Sequence, residues 1–271
     1  MKISKKQYVG NVRDLKVYGK ALQFHKVIYE IVESLPDYER YNLSDMLRRS
    51  CSSMVANLAE GNTNFYYKKE YNHLNMVLSK IGECRSALDI SRMAGYISES
   101  EYKNVDFKSE EILKMIIGMM RRTDRYLDNE QDDLDTAEAF HKSAILPIDI
   151  SKVHKKVITL NSLISDLVLQ YPIIERNNMK DQITRAAKST LENLNNSKKS
   201  YYSQTYLDLN TALGSISETL AFSDISNLQG YITKSQYDEI NKLGTEILDL
   251  VIDLMNHVNK EKYEEVYEWR E

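Results

Sequence analysis

Residues 36–61 read PDYERYNLSDMLRRSCSSMVANLAEG, and residues 172–197 read PIIERNNMKDQITRAAKSTLENLNNS. At an offset of 136 the two stretches share nine of 26 positions: Pro36/Pro172, Glu39/Glu175, Arg40/Arg176, Asn42/Asn178, Asp45/Asp181, Arg49/Arg185, Ser53/Ser189, Asn57/Asn193 and Leu58/Leu194. Downstream, residues 81–102 and 216–237 share ten of 22 positions at an offset of 135, including Gly95-Tyr96-Ile97 and Gly230-Tyr231-Ile232. Glu111-Ile112-Leu113 returns as Glu246-Ile247-Leu248. Matching blocks with a single residue lost between them identify a tandem duplication, which fixes the level at which the fold must be read.

Each copy divides into four segments of helical character. Apolar residues recur every three or four positions, as in Val17, Ala21, Phe24, Ile28, Ile31 and Leu35, and again in Ile240, Leu243, Ile247, Leu250, Val251 and Leu254. That period is the signature of a helix with one buried face. The pattern predicts helices at about 12–34, 43–60, 68–93 and 99–127, then 149–170, 178–196, 201–227 and 234–262. Pro36, Pro147 and Pro172 all fall between these segments, as expected of a residue that lacks an N–H and clashes with the preceding turn. Gly61, Gly95 and Gly230 sit where a glycine C-cap is expected. Ser98 with Glu101, and Thr233 with Gln236, match the capping box at the start of each fourth helix. The expected fold is therefore all-α: two tandem antiparallel four-helix bundles, at 1–127 and 149–271, joined by an acidic linker at 128–148.

Composition agrees with long helices: the 271 residues include only 9 Gly and 3 Pro. The start, Met-Lys-Ile-Ser-Lys-Lys, leads into polar sequence rather than an apolar run. The most apolar stretch, Ile112–Met120, is far shorter than the ~20 residues a membrane span needs. The two cysteines, Cys51 and Cys84, make no disulfide framework. These features predict a soluble cytoplasmic protein without membrane contact. The net charge of −4 hides a contrast: residues 1–125 carry +5, residues 126–141 carry −6, residues 142–260 balance, and the last eleven carry −3. A surface for phosphate is expected on the first copy.

The first copy also carries Arg48-Arg49-Ser50, then Ser53, Asn57-Leu58-Ala59-Glu60-Gly61, Ile81-Gly82-Glu83 and Ala94-Gly95-Tyr96-Ile97. This set resembles the four-helix bundle family of the 23S rRNA intervening-sequence protein. A relative of that family is the accessory variability determinant of diversity-generating retroelements. The resemblance covers about residues 13–127 well and 150–260 weakly. It implies a small bundle that assembles into a five-fold barrel. In the retroelement branch it implies association with a reverse transcriptase and nucleic-acid binding through basic surface residues. The second copy departs from the pattern, with Asn196-Ser197 for Glu60-Gly61 and Thr184 for Arg48. Duplication also constrains assembly, because five equivalent positions cannot be filled by whole two-copy chains that use both copies.

Three groups of candidate residues follow. Arg49, Ser53, Asn57 and Glu60 share a helix face by their spacing, with Glu83 expected to pair with Arg49. The second copy keeps Arg185, Ser189, Asn193 and Glu218, which favours a structural polar network. Tyr66-Tyr67-Lys68-Lys69, flanked by Phe65 and Tyr71, mixes cations for phosphates with rings for bases, and Lys198-Lys199 lie at nearly the same place in the second copy. Arg121, Arg122 and Arg125 end the fourth helix, and Arg48, Arg85 and Arg92 complete the basic candidates. The five histidines lack metal spacing, and neither a His-Glu-x-x-His nor a phosphate-binding glycine loop occurs. No cofactor and no catalytic residue are expected. Trp269, with Tyr263 and Tyr267, marks an acidic aromatic tail. The expected function is a non-enzymatic accessory protein that binds RNA or DNA, with a reverse transcriptase or other protein as partner. The alternative is a protein-interaction scaffold without nucleic-acid binding.

Overall fold

The structure is a computed structural model that describes residues 6, 10–127 and 145–268. The acidic segment 128–141 and Trp269 lie outside the described residues. The first copy contains α1 (Lys16–Ser34), α2 (Leu43–Thr63), α3 (Tyr67–Met93) and α4 (Glu99–Asp124); the second contains α5 (Ser151–Leu167), α6 (Met179–Asn196), α7 (Tyr202–Leu228) and α8 (Lys234–Glu268). The chain folds into two compact units that follow the repeat, each an antiparallel four-helix bundle. In the first, α2 packs on α1 and α3, and α4 packs on α3 and α1.

Both cores are built from the predicted period. Phe24, Ile28, Leu47, Leu58, Val77, Ile81, Ile112 and Ile116 are almost wholly buried in the first bundle. Val157, Leu160, Ile183, Leu213, Ile216, Ile247 and Val251 are so in the second. Burying each such side chain contributes about 1.5–3 kcal/mol. In α8 the buried line runs through Ile240, Ile247, Val251, Met255 and Val258, while Leu243, Leu250 and Leu254 are half-buried. The line passes through Gly244, where an added Cβ would lie 2.5 Å from Leu220 of α7.

The repeated residues act within their own copy. Glu39 accepts from Asn42 Nδ2 (2.8 Å) and from the Leu43 N–H (3.4 Å), so its carboxylate closes the start of α2, and Tyr96 OH donates to it at 3.3 Å. In the second bundle Glu175 takes Asn178 (3.0 Å), the Met179 N–H (3.4 Å) and Tyr231 OH (3.1 Å). A carboxylate there also suits the positive end of the helix dipole. Tyr102 OH donates to Asp89 (2.6 Å) and Tyr237 OH to Asp224 (2.8 Å), which fastens the third helix to the fourth in each copy.

The predicted caps form. Ser98 and Glu101 make a reciprocal capping box, and Thr233 and Gln236 make the same pair of bonds. Gly95 and Gly230 have φ of 74° and 70°. The bond from the Tyr96 N–H to Ser91 O, with that from Gly95 to Arg92 O, completes a left-handed helix stop.

One expectation needs correction. Gly61 does not end its helix: α2 runs on to Thr63, and among the described residues only Gly95 and Gly230 have positive φ. Lys199 stands just before α7. It lies in a three-residue strand, Lys199–Tyr201, paired antiparallel with Ile145–Pro147. Pro147, which cannot donate to a ladder, sits at the end of this short pairing.

Candidate nucleic-acid interface

Antiparallel packing brings the start of α1, the end of α2, the start of α3 and the end of α4 to one end of the first bundle. Tyr67 of α3 stacks on Tyr126, just beyond α4, with centroids 4.6 Å apart and planes 15° apart. This stack joins two candidate groups that are far apart in sequence, Tyr66–Lys69 and Arg121–Arg125. Residues 10–20, 58–72 and 115–127, which build this end, contain eight Lys or Arg and four Asp or Glu. The opposite end, built from residues 30–48 and 85–106, contains five and nine. A helix of 19 residues spans about 28 Å, well beyond the ~8 Å screening length at physiological salt. The two ends therefore present separate fields of opposite sign.

The cations differ in availability. Lys68, Arg121, Arg122 and Arg125 are exposed, and the three arginines have no ion-pair partner among the described residues. Lys16 is exposed at the same end and lines a shallow groove with Leu15, Val17, Met115, Gly118, Met119 and Arg122. It was not among the sequence candidates, although antiparallel topology alone places the start of α1 beside the end of α4. Lys69 is half-buried with its ammonium 5.9 Å from the Tyr66 ring centroid. Lys6 is engaged, its ammonium 3.1 Å from Glu70 and 3.1 Å from Asn62 O.

Other candidates leave the interface. Arg48 is 4% exposed, and its guanidinium donates to Arg40 O at 3.3 Å. Next to it Arg49 points outward and pairs with Asp45 at 3.6 Å. Tyr66 and Phe65 are buried under the turn, and Tyr67 is half-buried against Tyr126. Arg85 pairs with Asp106 at 2.9 Å. Arg92 pairs with Glu99 at 3.4 Å and lies 4.3 Å over the Tyr102 ring. Lys198 is exposed but belongs to the second bundle, as does Lys199.

The polar ladder is a network between α2 and α3, with one member the sequence did not reveal. Asn57 Nδ2 donates to Ser53 O (2.8 Å) and Ser53 Oγ (3.2 Å), so its Oδ1 accepts from His73 Nδ1 at 3.1 Å. His73 Nε2 then faces Glu60 at 3.6 Å. Burial lowers the imidazole's pKa from its usual range; the Glu60 carboxylate opposes that shift and Lys69 reinforces it. Gly61 belongs to the same contact, since a Cβ there would lie 2.8 Å from His73 Cβ. The motif Asn57-Leu58-Ala59-Glu60-Gly61 thus fits α2 around one ring of α3. His73 aligns with Asp208 in the second copy, so the repeat comparison concealed it. There Asn193 still bonds Ser189 (2.8 and 3.2 Å), Arg185 pairs with Asp181 (2.9 Å), and Glu218 is half-buried.

Glu83 does not form the expected direct pair with Arg49. It takes Ser50 Oγ (2.6 Å) and Lys80 (2.7 Å) instead. Partial burial works to raise its pKa, but the bonds from Lys80 and Ser50 outweigh this, aided by the charges of Lys80 and Arg49, and hold the carboxyl below its usual range. Cys51 and Cys84 are both buried and free, and burial pushes the Cys84 thiol upward.

Two bundles with duplicated internal clamps define a tandem four-helix-bundle protein. Residues 13–118 and 150–253 each match the family described as 23S rRNA-intervening sequence protein. The chain belongs to that family, with one family domain in each bundle. No curated protein matches the chain. No helix among the described residues is long and apolar enough to cross a membrane.

Proposed function

We propose that this protein is a non-enzymatic accessory protein of the cytoplasm that binds nucleic acid through the basic end of its first bundle. The observation that carries this reading is the gathering of Lys16, Lys68, Arg121, Arg122 and Arg125, all exposed, at one end of that bundle. Such cations neutralise phosphates and release condensed counterions, which drives binding with little regard to sequence. The family's description points to RNA as the first ligand to test. A reverse transcriptase or another nucleic-acid enzyme is the matching class of protein partner, as the family resemblance implies. The second bundle supplies packing and assembly surface, since it lacks the His73 network and its charges balance over residues 142–260.

The test is a titration of fluorescently labelled RNA and DNA with the full chain at low salt. Binding by the wild type, and its loss in a Lys68→Ser/Arg121→Ser/Arg122→Ser/Arg125→Ser variant, is expected. An absence of binding at low salt would sink the proposal and leave the scaffold reading in its place.

A further inference from the structure

The end of the first bundle opposite the basic one exposes large apolar side chains. Tyr38 is 73% exposed, Tyr41 87% and Met93 82%. Tyr38 and Tyr41 stand on the turn between α1 and α2, and Met93 ends α3 at the same end of the bundle. Aromatic residues and Met are the types enriched where proteins meet, and exposed apolar groups gathered at one place mark contact sites.

This patch is held in shape. Tyr38 OH donates to Tyr96 OH at 3.0 Å, and their rings meet edge to face at 6.1 Å. Tyr96 OH in turn donates to Glu39. The exposed Tyr38 ring is thus fixed before any partner arrives, which reduces the ordering penalty of binding.

The surroundings decide the partner's sign. Glu33, Asp37, Glu99 and Glu101 are exposed around this end. Its basic residues are engaged: Arg40 lies over the Tyr41 ring at 5.8 Å, Arg92 pairs with Glu99, and Lys103 pairs with Glu99 at 3.4 Å. Phosphate is repelled here, and a ring that already carries one guanidinium on its face shows the chemistry it accepts.

We infer that this acidic, aromatic end docks a basic protein segment, in which Lys or Arg side chains meet Glu33 and Asp37 and apolar side chains cover Tyr38, Tyr41 and Met93. The chain then has two poles of opposite preference, one for a polyanion and one for a basic protein. The inference does not depend on nucleic-acid binding at the other pole.

The probe is a fluorescein-labelled peptide rich in Arg and Leu, titrated with the full chain at low salt. Three variants accompany it: Tyr38→Ser/Tyr41→Ser/Met93→Ser, Glu33→Gln/Asp37→Asn, and the Lys68→Ser/Arg121→Ser/Arg122→Ser/Arg125→Ser variant. All substituted side chains are exposed, so the helical signal is retained, as checked by circular dichroism. The peptide binds the wild type and the basic-end variant alike, at least tenfold more weakly the triple variant, and several-fold more weakly the acid-to-amide variant. Absence of binding to the wild type overturns the inference. Equal binding to the triple variant also overturns it, because the acidic segments 126–141 and 261–271 alone then hold the peptide.

Discussion

Replacing Gly61 with alanine tests how α2 and α3 meet. The added Cβ would lie 2.8 Å from His73 Cβ and 3.6 Å from Glu70 O. The near atom is the root of a side chain, not its flexible tip, so relief requires the two helices to separate by several tenths of an ångström. Overpacking of this kind costs about 1–3 kcal/mol. Against it stands the gain of about 0.5–1 kcal/mol for Gly→Ala inside a helix. The net expectation is a loss of up to about 2.5 kcal/mol from those two terms. Gly82 and Gly118 are the controls, because a Cβ at either meets nothing within 4 Å. Gly82→Ala and Gly118→Ala should therefore each gain about 0.5–1 kcal/mol. The assay is thermal unfolding by far-UV circular dichroism, with hydrogen exchange by mass spectrometry to localise the change, since two bundles need not unfold as one. Opposite signs for Gly61 and the two controls are expected. A Gly61→Ala protein as stable as the Gly82→Ala protein would refute the close approach of α2 to His73.

Other outcomes follow from particular contacts. Arg48 is buried with its Nε lacking a hydrogen-bond partner among the described residues, so Arg48→Met should leave stability level or raise it and leave nucleic-acid binding unchanged, as read by melting and titration. His25 is fully buried beside Ser52 (3.0 Å), and burial lowers its pKa to about 3. A depressed histidine pKa means the unfolded chain binds the extra proton first, so stability is intact above pH ~6.5 and is lost as pH falls toward 3. The loss attributable to His25 is on the order of 3 kcal/mol by pH 4, and His25→Asn should flatten the acid limb of a denaturation profile. Removing a helix cap by Ser98→Ala or Thr233→Ala should cost about 1 kcal/mol each in the same unfolding assay.

The parts of this structure that local chemistry dictates were legible in the sequence. The repeat, the apolar stripes, the capping boxes at Ser98 and Thr233 and the glycine stops at Gly95 and Gly230 depend on residues within a few positions of one another. Gly61 was misread because a glycine near the end of a stripe looks the same whether it caps a helix or admits a neighbour. The neighbour, His73, is known only once α3 is in place. Arg48 and Arg49 are adjacent and identical in type, yet a rotation of about 100° about the helix axis buries one and exposes the other. The charge of the first copy was visible as a total of +5, but its separation into two poles needed the antiparallel order of four helices. That order also made Lys16 a member of the basic end and withdrew Arg85 and Arg92 from it.

The dependence of RNA affinity on salt tests the role of the basic end most directly. Each phosphate neutralised contributes about 0.7 to the slope of log K against log salt for a single strand and about 0.9 for a duplex. If Lys68, Arg121, Arg122 and Arg125 each meet a phosphate, their replacement by serine should reduce the magnitude of that slope by about 3. A variant that binds with the wild-type slope and affinity would contradict a phosphate-binding role for this end of the first bundle.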